Sequence, residues 1–250
     1  MKIFITGVSS GIGQETARLL ISAGHEVWGI ARRKDLLDKL ADELNSPYFF
    51  YSQCDVAIEE DVNNTIQLMA EKNFMPDVAV LNSAIFPKDL KDGFDFSAFR
   101  KTFAVNCFGA LIWVEKFLPK FLERGSGKFL AIASTSAFRP DPASVSLPAS
   151  KAALSMAFRS MGLRHNQSGV KFTIVYFGPV ATDIVPEFRD TKGLGKLFVM
   201  NPQTAAQKLV KAIFGNSAIY YFPFWLTLIF RLTLFLPDRL FSALSKKIKR

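Results

Sequence analysis

Cysteine and histidine are scarce in this chain, two of each among 250 residues. Cys54 and Cys107 form no CxxC pair and have no histidine cluster beside them. That spacing argues against a disulfide framework and against a metal site, and suits a reducing cytoplasm. The chain starts with Met1-Lys2 and runs directly into a strand-like segment. It lacks the apolar stretch and small-residue cleavage site of a secretory leader, so none is expected. Long apolar runs are also missing. The longest, Pro223 to Pro237, is interrupted by Arg231 and falls short of the roughly 20 residues that cross a bilayer. Acids are in deficit, 22 against 31 lysines and arginines, giving a net charge of +9. Six of the basic residues and only one acid lie between Ser217 and Arg250, so the excess collects at one end. No nucleic-acid recognition motif accompanies it, and no nucleic acid partner is expected. There is no repeat and no low-complexity linker.

What is present is apolar residue in quantity, 49% of the chain, enough to bury a large core. Strand-like and helix-like segments alternate. Strands are expected at Lys2–Thr6, Glu26–Ala31, Tyr48–Ser52, Val78–Leu81, Lys128–Ser134, Lys171–Phe177 and Ala218–Phe222. Helices are expected over about Gly13–Ala23, Leu36–Leu44, Val62–Ala70, Phe96–Leu122, Lys151–Gln167 and Pro202–Phe214, the last capped by Asn201. Such alternation implies an α/β fold, a doubly wound parallel sheet with helices on both faces. The domain is read as residues 1–222, and residues 223–250 as an apolar and basic helical tail.

Thr6-Gly7-Val8-Ser9-Ser10-Gly11-Ile12-Gly13 follows the first strand and opens the first helix. Gly7 permits a tight turn, Gly11 lets the backbone approach a diphosphate, and Gly13 allows close packing of helix on strand. The N–H groups at the helix start then face an anion with a favourable dipole. A surface turn is the plain alternative, but the strand before and the helix after favour a dinucleotide site.

This T-G-x-x-x-G-x-G spacing resembles the classical short-chain dehydrogenase/reductase family, and the resemblance covers about residues 1–222. It implies a Rossmann-type fold that binds a nicotinamide coenzyme through Thr6, Gly7, Ser9, Ser10, Gly11 and Ile12. Asp55 matches the acid that contacts the adenine. Asn82-Ser83-Ala84 matches the family's Asn-Ala-Gly, with Leu81 and Ala84 departing from the pattern on the adenine side. Asn106 matches the asparagine of the proton relay, Ser134 the serine that binds the substrate oxygen, and Lys151 the active-site lysine. Thr182, in Gly178-Pro179-Val180-Ala181-Thr182, matches the threonine that holds the carboxamide. The implied activity is hydride transfer between coenzyme and a carbonyl or alcohol, usually by homodimers or homotetramers.

The second strand ends in Ala31-Arg32-Arg33 where an acid would select NAD(H). Arg32 and Arg33 suit a 2′-phosphate, favouring NADP(H); two solvated arginines beside a helix start are the alternative.

In the family a tyrosine four residues before the lysine donates the proton. Here that position is Leu147, thirteen residues after Ser134, which is the family's own serine–tyrosine spacing. Leucine donates no proton, none of the five tyrosines is near in sequence, and Ser144 and Ser146 are poor acids without a base. Three readings stay open: a coenzyme-binding pseudoenzyme, a slow oxidoreductase using Lys151 or water, and an enzyme whose substrate supplies its own group.

In the tail, Leu240, Phe241, Leu244 and Ile248 mark one face of a helix starting near Pro237, with Lys246, Lys247, Lys249 and Arg250 beyond. Such a segment either lies on an anionic membrane, at its cytoplasmic face, or packs its aromatics on the domain or a second subunit. The first reading makes a lipid-like substrate natural, with Asp183–Val199 as a lid hinged at Gly193 and Gly195.

Overall fold

The structure, a computed structural model, describes residues 1–87, 93–141, 144–185, 188, 189, 191 and 198–241. Its strands are β1 (Lys2–Thr6), β2 (Glu26–Ala31), β3 (Phe49–Gln53), β4 (Val78–Leu81), β5 (Gly127–Ser134), β6 (Val170–Phe177) and β7 (Ile219–Phe222). Its helices are α1 (Gly11–Ser22), α2 (Lys34–Leu44), α3 (Glu59–Glu71), α4 (Phe96–Phe103), α5 (Gly109–Glu123), α6 (Ser146–Arg164), α7 (Pro202–Phe214) and α8 (Phe224–Leu232).

The strands form one parallel sheet in the order β3-β2-β1-β4-β5-β6-β7. Helices cover both faces, so strand residues are apolar on both sides and pack alternately into two cores. Ile3 and Ile5 join Leu20 of α1, Leu37 of α2 and Leu209 of α7. Phe4, between them, joins Met69 of α3, Trp113 and Phe117 of α5, and Phe158 of α6. The direction of winding reverses between β1 and β4. There, beyond the carboxyl ends of two adjacent strands, the chain leaves in opposite directions and opens a crevice.

Several boundaries depart from the sequence expectation for local reasons. The expected helix Phe96–Leu122 is α4 and α5 joined by a π-helical turn, Ala104–Phe108. Apolar periodicity does not register so small a widening of the turn. The helix expected from Lys151 begins at Ser146, because Pro148 falls in the first turn, where a missing N–H breaks no helical bond; it ends at Arg164. The first helix starts at Gly11, two residues early. The Asn201 cap is as expected, its Oδ1 accepting from Thr204 N at 2.7 Å.

α8, the first part of the tail, packs on the domain through one side. Leu226 and Thr227 are buried, while Phe224, Trp225, Leu228, Ile229, Leu232 and Phe235 remain exposed. A short helical turn starts at Asp238, one residue after Pro237. Leu244, Lys246, Lys247, Ile248, Lys249 and Arg250 lie outside the described residues, as do Gly193 and Gly195 of the expected lid. Among the described residues no helix is long and apolar enough to cross a membrane.

Candidate active site

The crevice between β1 and β4 is built around Thr6 and Asn82. Thr6 Oγ1 accepts from the backbone N of Asn82 and of Ser83, both at 2.9 Å. Asn82 Nδ2 donates in return to the carbonyls of Thr6 (3.0 Å) and Gly7 (3.1 Å). These bonds pin the turn after β1 to the end of β4. Gly7 turns with φ +76°, a left-handed conformation that side chains resist. Gly13 has no room for a side chain, since a Cβ there would meet Gly7 O at 2.3 Å. Ser10 caps α1 in position only, with no side-chain cap bond, and the first turn carries no acid. Neither a cap side chain nor a first-turn acid therefore meets the amides of that turn. Ser9 is buried, Ile12 is half-buried against the α1 core, and Thr182 Cγ2 lies 3.1 Å from where a Cβ on Gly11 would stand.

The two arginines after β2 part company. Arg33 Nη2 donates to Ser9 Oγ (2.9 Å) and Ser10 Oγ (2.7 Å), which holds its guanidinium against the glycine turn. Arg32 turns away, its Nη1 3.8 Å from Asp55 Oδ2. Asp55 also accepts from Ala57 N at 3.0 Å, and its own N–H donates to Asp61 Oδ2. The carboxylate is thus shared between its own loop and a half-exposed arginine.

Further along the crevice, the π-helical turn brings Asn106 fully inside. Its Oδ1 accepts from Ile85 N at 2.8 Å, and its Nδ2 donates to Ile85 O at 3.0 Å and Ser150 Oγ at 3.3 Å. Ser150 Oγ donates to the carbonyl of Leu147 at 3.0 Å, within the first turn of α6. Lys151 Nζ donates to Ile132 O at 2.8 Å, which sets the amine two residues short of Ser134 on β5. Lys151 is 4% exposed. Burial lowers its pKa to about 8, and nearby Cys107 opposes that shift, while burial pushes the Cys107 thiol up. Ser134, at the end of β5, accepts from Ser136 N at 3.1 Å. Asn106 is thus tied to the first turn of α6 through Ser150, and Lys151 of the same helix reaches β5 at Ile132.

Ser150 and Arg139 escaped the sequence reading. Ser150 carried no signal beyond its place next to the lysine. Arg139 is a charged residue in a proline-rich loop, which reads as solvated, yet its side chain is 5% exposed. Nothing in the sequence pairs it with the tail.

The profile described as short chain dehydrogenase matches residues 1–193. An uncharacterized oxidoreductase of Staphylococcus aureus is 30% identical over 219 residues, 86% of this chain and 91% of that protein. One of Myxococcus xanthus is 26% identical over 247 residues, covering 98% and 96%. Among solved structures, serine dehydrogenase complexed with NADP+ superposes with a TM-score of 0.79 at 19% identity, covering 88% of this chain and 94% of the other. The 3-ketoacyl-(acyl-carrier-protein) reductase from Brucella melitensis complexed with NADH gives 0.79 at 21% identity, covering 88% and 95%. The sheet order, the pinned glycine turn and the matched sequence agree: the chain belongs to the short-chain dehydrogenase family.

Proposed function

We propose that this protein is an NADP(H)-dependent oxidoreductase that interconverts a carbonyl and an alcohol on a lipophilic substrate. The observation that carries this reading is the grip of Arg33 on Ser9 and Ser10, a cation fixed at the uncapped start of α1. The glycine turn, which leaves no space for a side chain at Gly13, fits a diphosphate approaching the backbone. When bound, the nicotinamide supplies or accepts the hydride. Thr6, Gly7, Ser9, Ser10, Gly11, Ile12 and Asn82 form the diphosphate cradle. Arg33 takes the 2′-phosphate, assisted by Arg32, and Asp55 lies on the adenine side. Thr182 holds the carboxamide end, and Lys151 holds the ribose.

Ser134 orients the substrate oxygen. Lys151, kept from water and bound to Ile132 O, stands where its ammonium can release a proton. Asn106 keeps α6 and the turn after β4 in place through Ser150 and Ile85. Leu147 occupies the position of the family's proton-donating tyrosine, so proton delivery falls to Lys151 or to water. Absence of a positioned acid costs about 10²–10⁴-fold in rate.

The tail, residues 223–250, serves as a peripheral attachment to the cytoplasmic face of an anionic membrane, appended to a nucleotide-binding domain of residues 1–222. Its support is the exposed row Phe224, Trp225, Leu228, Ile229, Leu232 and Phe235, followed in sequence by Lys246, Lys247, Lys249 and Arg250. Exposed Met156 and Leu163 on α6 support assembly into a homodimer or homotetramer.

Leu147 favours one rival, a nucleotide-binding scaffold without turnover. NADPH oxidation across a panel of aliphatic and aromatic carbonyls separates the two, with Leu147→Tyr assayed alongside. The oxidoreductase reading expects measurable turnover by the wild-type chain and a gain of about 10²–10⁴-fold in the variant. Activity in the variant alone favours the scaffold.

A further inference from the structure

β7 runs parallel to β6 and ends at Phe222, so α8 starts at the carboxyl edge of the sheet, the edge on which the crevice between β1 and β4 opens. Its inner side meets the segment that carries Thr182. Gly178 N donates to Phe222 O at 2.8 Å, and a Cβ on Gly178 would stand 2.9 Å from Leu226 Cδ2. Four residues on, Thr182 lies against Gly11 of the glycine turn. The outer side of α8 reaches the same segment by another route. The rings of Trp225 and Phe198 are 5.4 Å apart and inclined at 59°. Two residues after Phe198, Met200 N donates to Pro179 O and Met200 O accepts from Ala181 N, both at 2.9 Å. Phe198 is 38% exposed and Trp225 45%, so the apolar row on α8 continues beyond the tail onto Phe198.

The charge along this row is of one sign. Asp238, the one acid between Ser217 and Arg250, is taken by Arg139 at 3.1 Å. Asp183, in the segment after β6, is paired with Arg189. Arg231 and Arg239 are exposed, and the sequence beyond them adds Lys246, Lys247, Lys249 and Arg250. A contiguous apolar row beside cations, with its acids already paired, complements an anionic lipid surface. A second copy of this chain would bring the same positive charge to the same face, which disfavours it as the occupant.

We propose that the surface docking on an anionic bilayer is a composite of α8 and Phe198, which seats the bilayer at the carboxyl edge of the sheet beside the segment that carries Thr182. The proposal rests on the membrane reading of the tail. It adds a docking residue outside the tail and the orientation of the docked molecule.

The chain carries its own probe. Of its three tryptophans, Trp28 and Trp113 are buried and Trp225 is exposed. The full chain is titrated with phosphatidylserine vesicles whose acyl chains are brominated near the headgroup, and tryptophan emission is read. Trp225 is expected to be quenched, and the quenching to vanish in Trp225→Phe. In Trp225→Phe/Phe198→Trp it is expected to return to within about twofold of the wild-type extent. Trp225→Phe/Leu68→Trp puts the probe on an exposed position of α3, beside the opposite edge strand, and is expected to stay unquenched. Flotation with unbrominated vesicles gives a second reading. Phe198→Ser is expected to bind about tenfold more weakly, although residue 198 lies outside the tail.

An unquenched wild-type chain removes the membrane reading and this proposal with it. If that chain also self-associates and Trp225→Ser abolishes the association, the face belongs to a second copy. Quenching of wild type with an unquenched probe at position 198, or with unchanged flotation of Phe198→Ser, overturns the composite surface and leaves attachment through the tail alone. Quenching of the probe at position 68 overturns the orientation.

Discussion

Arg139, buried five residues beyond Ser134, forms an ion pair with Asp238 of the C-terminal tail at 3.1 Å. The loop after β5 is therefore in direct contact with the segment that follows α8. Because α8 spends Leu226 and Thr227 on the domain, its other side is free to meet something else. The expected outcome is that the full chain floats with phosphatidylserine-containing vesicles at low salt and is released as salt rises. Trp225→Ser/Phe235→Ser should remain in solution, at a loss of about 1.5–3 kcal/mol for each buried apolar side chain. Flotation assays with neutral and anionic vesicles check this; equal behaviour of wild type and variant contradicts the membrane reading.

Lys151 gives a prediction in pH. Its folded-state pKa is depressed to about 8 by burial, from an ordinary value of 10.5. The ammonium that would hold the ribose is present below pH 8 and is lost as pH rises through that value. NADPH affinity should fall across the pH 7–9 range, by about 10–100-fold if a charged hydrogen bond is lost. In Lys151→Met the affinity should be low and flat over the same range. For stability the sign is opposite. Between pH 8 and 10.5 the unfolded chain binds more protons, so burial of this lysine costs less as pH rises. Lys128, whose pKa burial likewise lowers to about 8, adds to the stability trend, and the Lys151→Met comparison isolates the binding effect.

Arg33 decides between coenzymes. With its guanidinium held by Ser9 and Ser10, Arg33→Ala should weaken NADPH binding by about 10–100-fold and leave NADH binding within about twofold. Arg32→Ala should do less, because Arg32 is drawn toward Asp55. Equilibrium titrations of both variants with both nucleotides read this directly; equal losses for the two nucleotides contradict the assignment.

Strand alternation and the glycine turn were legible because each depends on residues close in sequence. The strands fall within a residue or two of expectation, and Asn201 caps α7 as expected. The π-helical turn at Asn106 was not legible, since apolar spacing through Phe96–Leu122 is that of an ordinary helix. The start of α6 was obscured by Pro148, a helix breaker everywhere except in the first turn. Arg32 and Arg33 are adjacent and equivalent in the sequence; only the structure separates one toward Asp55 from one toward Ser10. Arg139 and Asp238 lie far apart in the chain, and no local pattern links them.

Coenzyme binding itself is the most direct test of the account. Fluorescence titration of the full chain with NADPH and with NADH should show saturable binding of both reduced nucleotides, with NADPH bound at least about tenfold more tightly. Failure of both nucleotides to bind at millimolar concentration would contradict the nucleotide site and every role built on it.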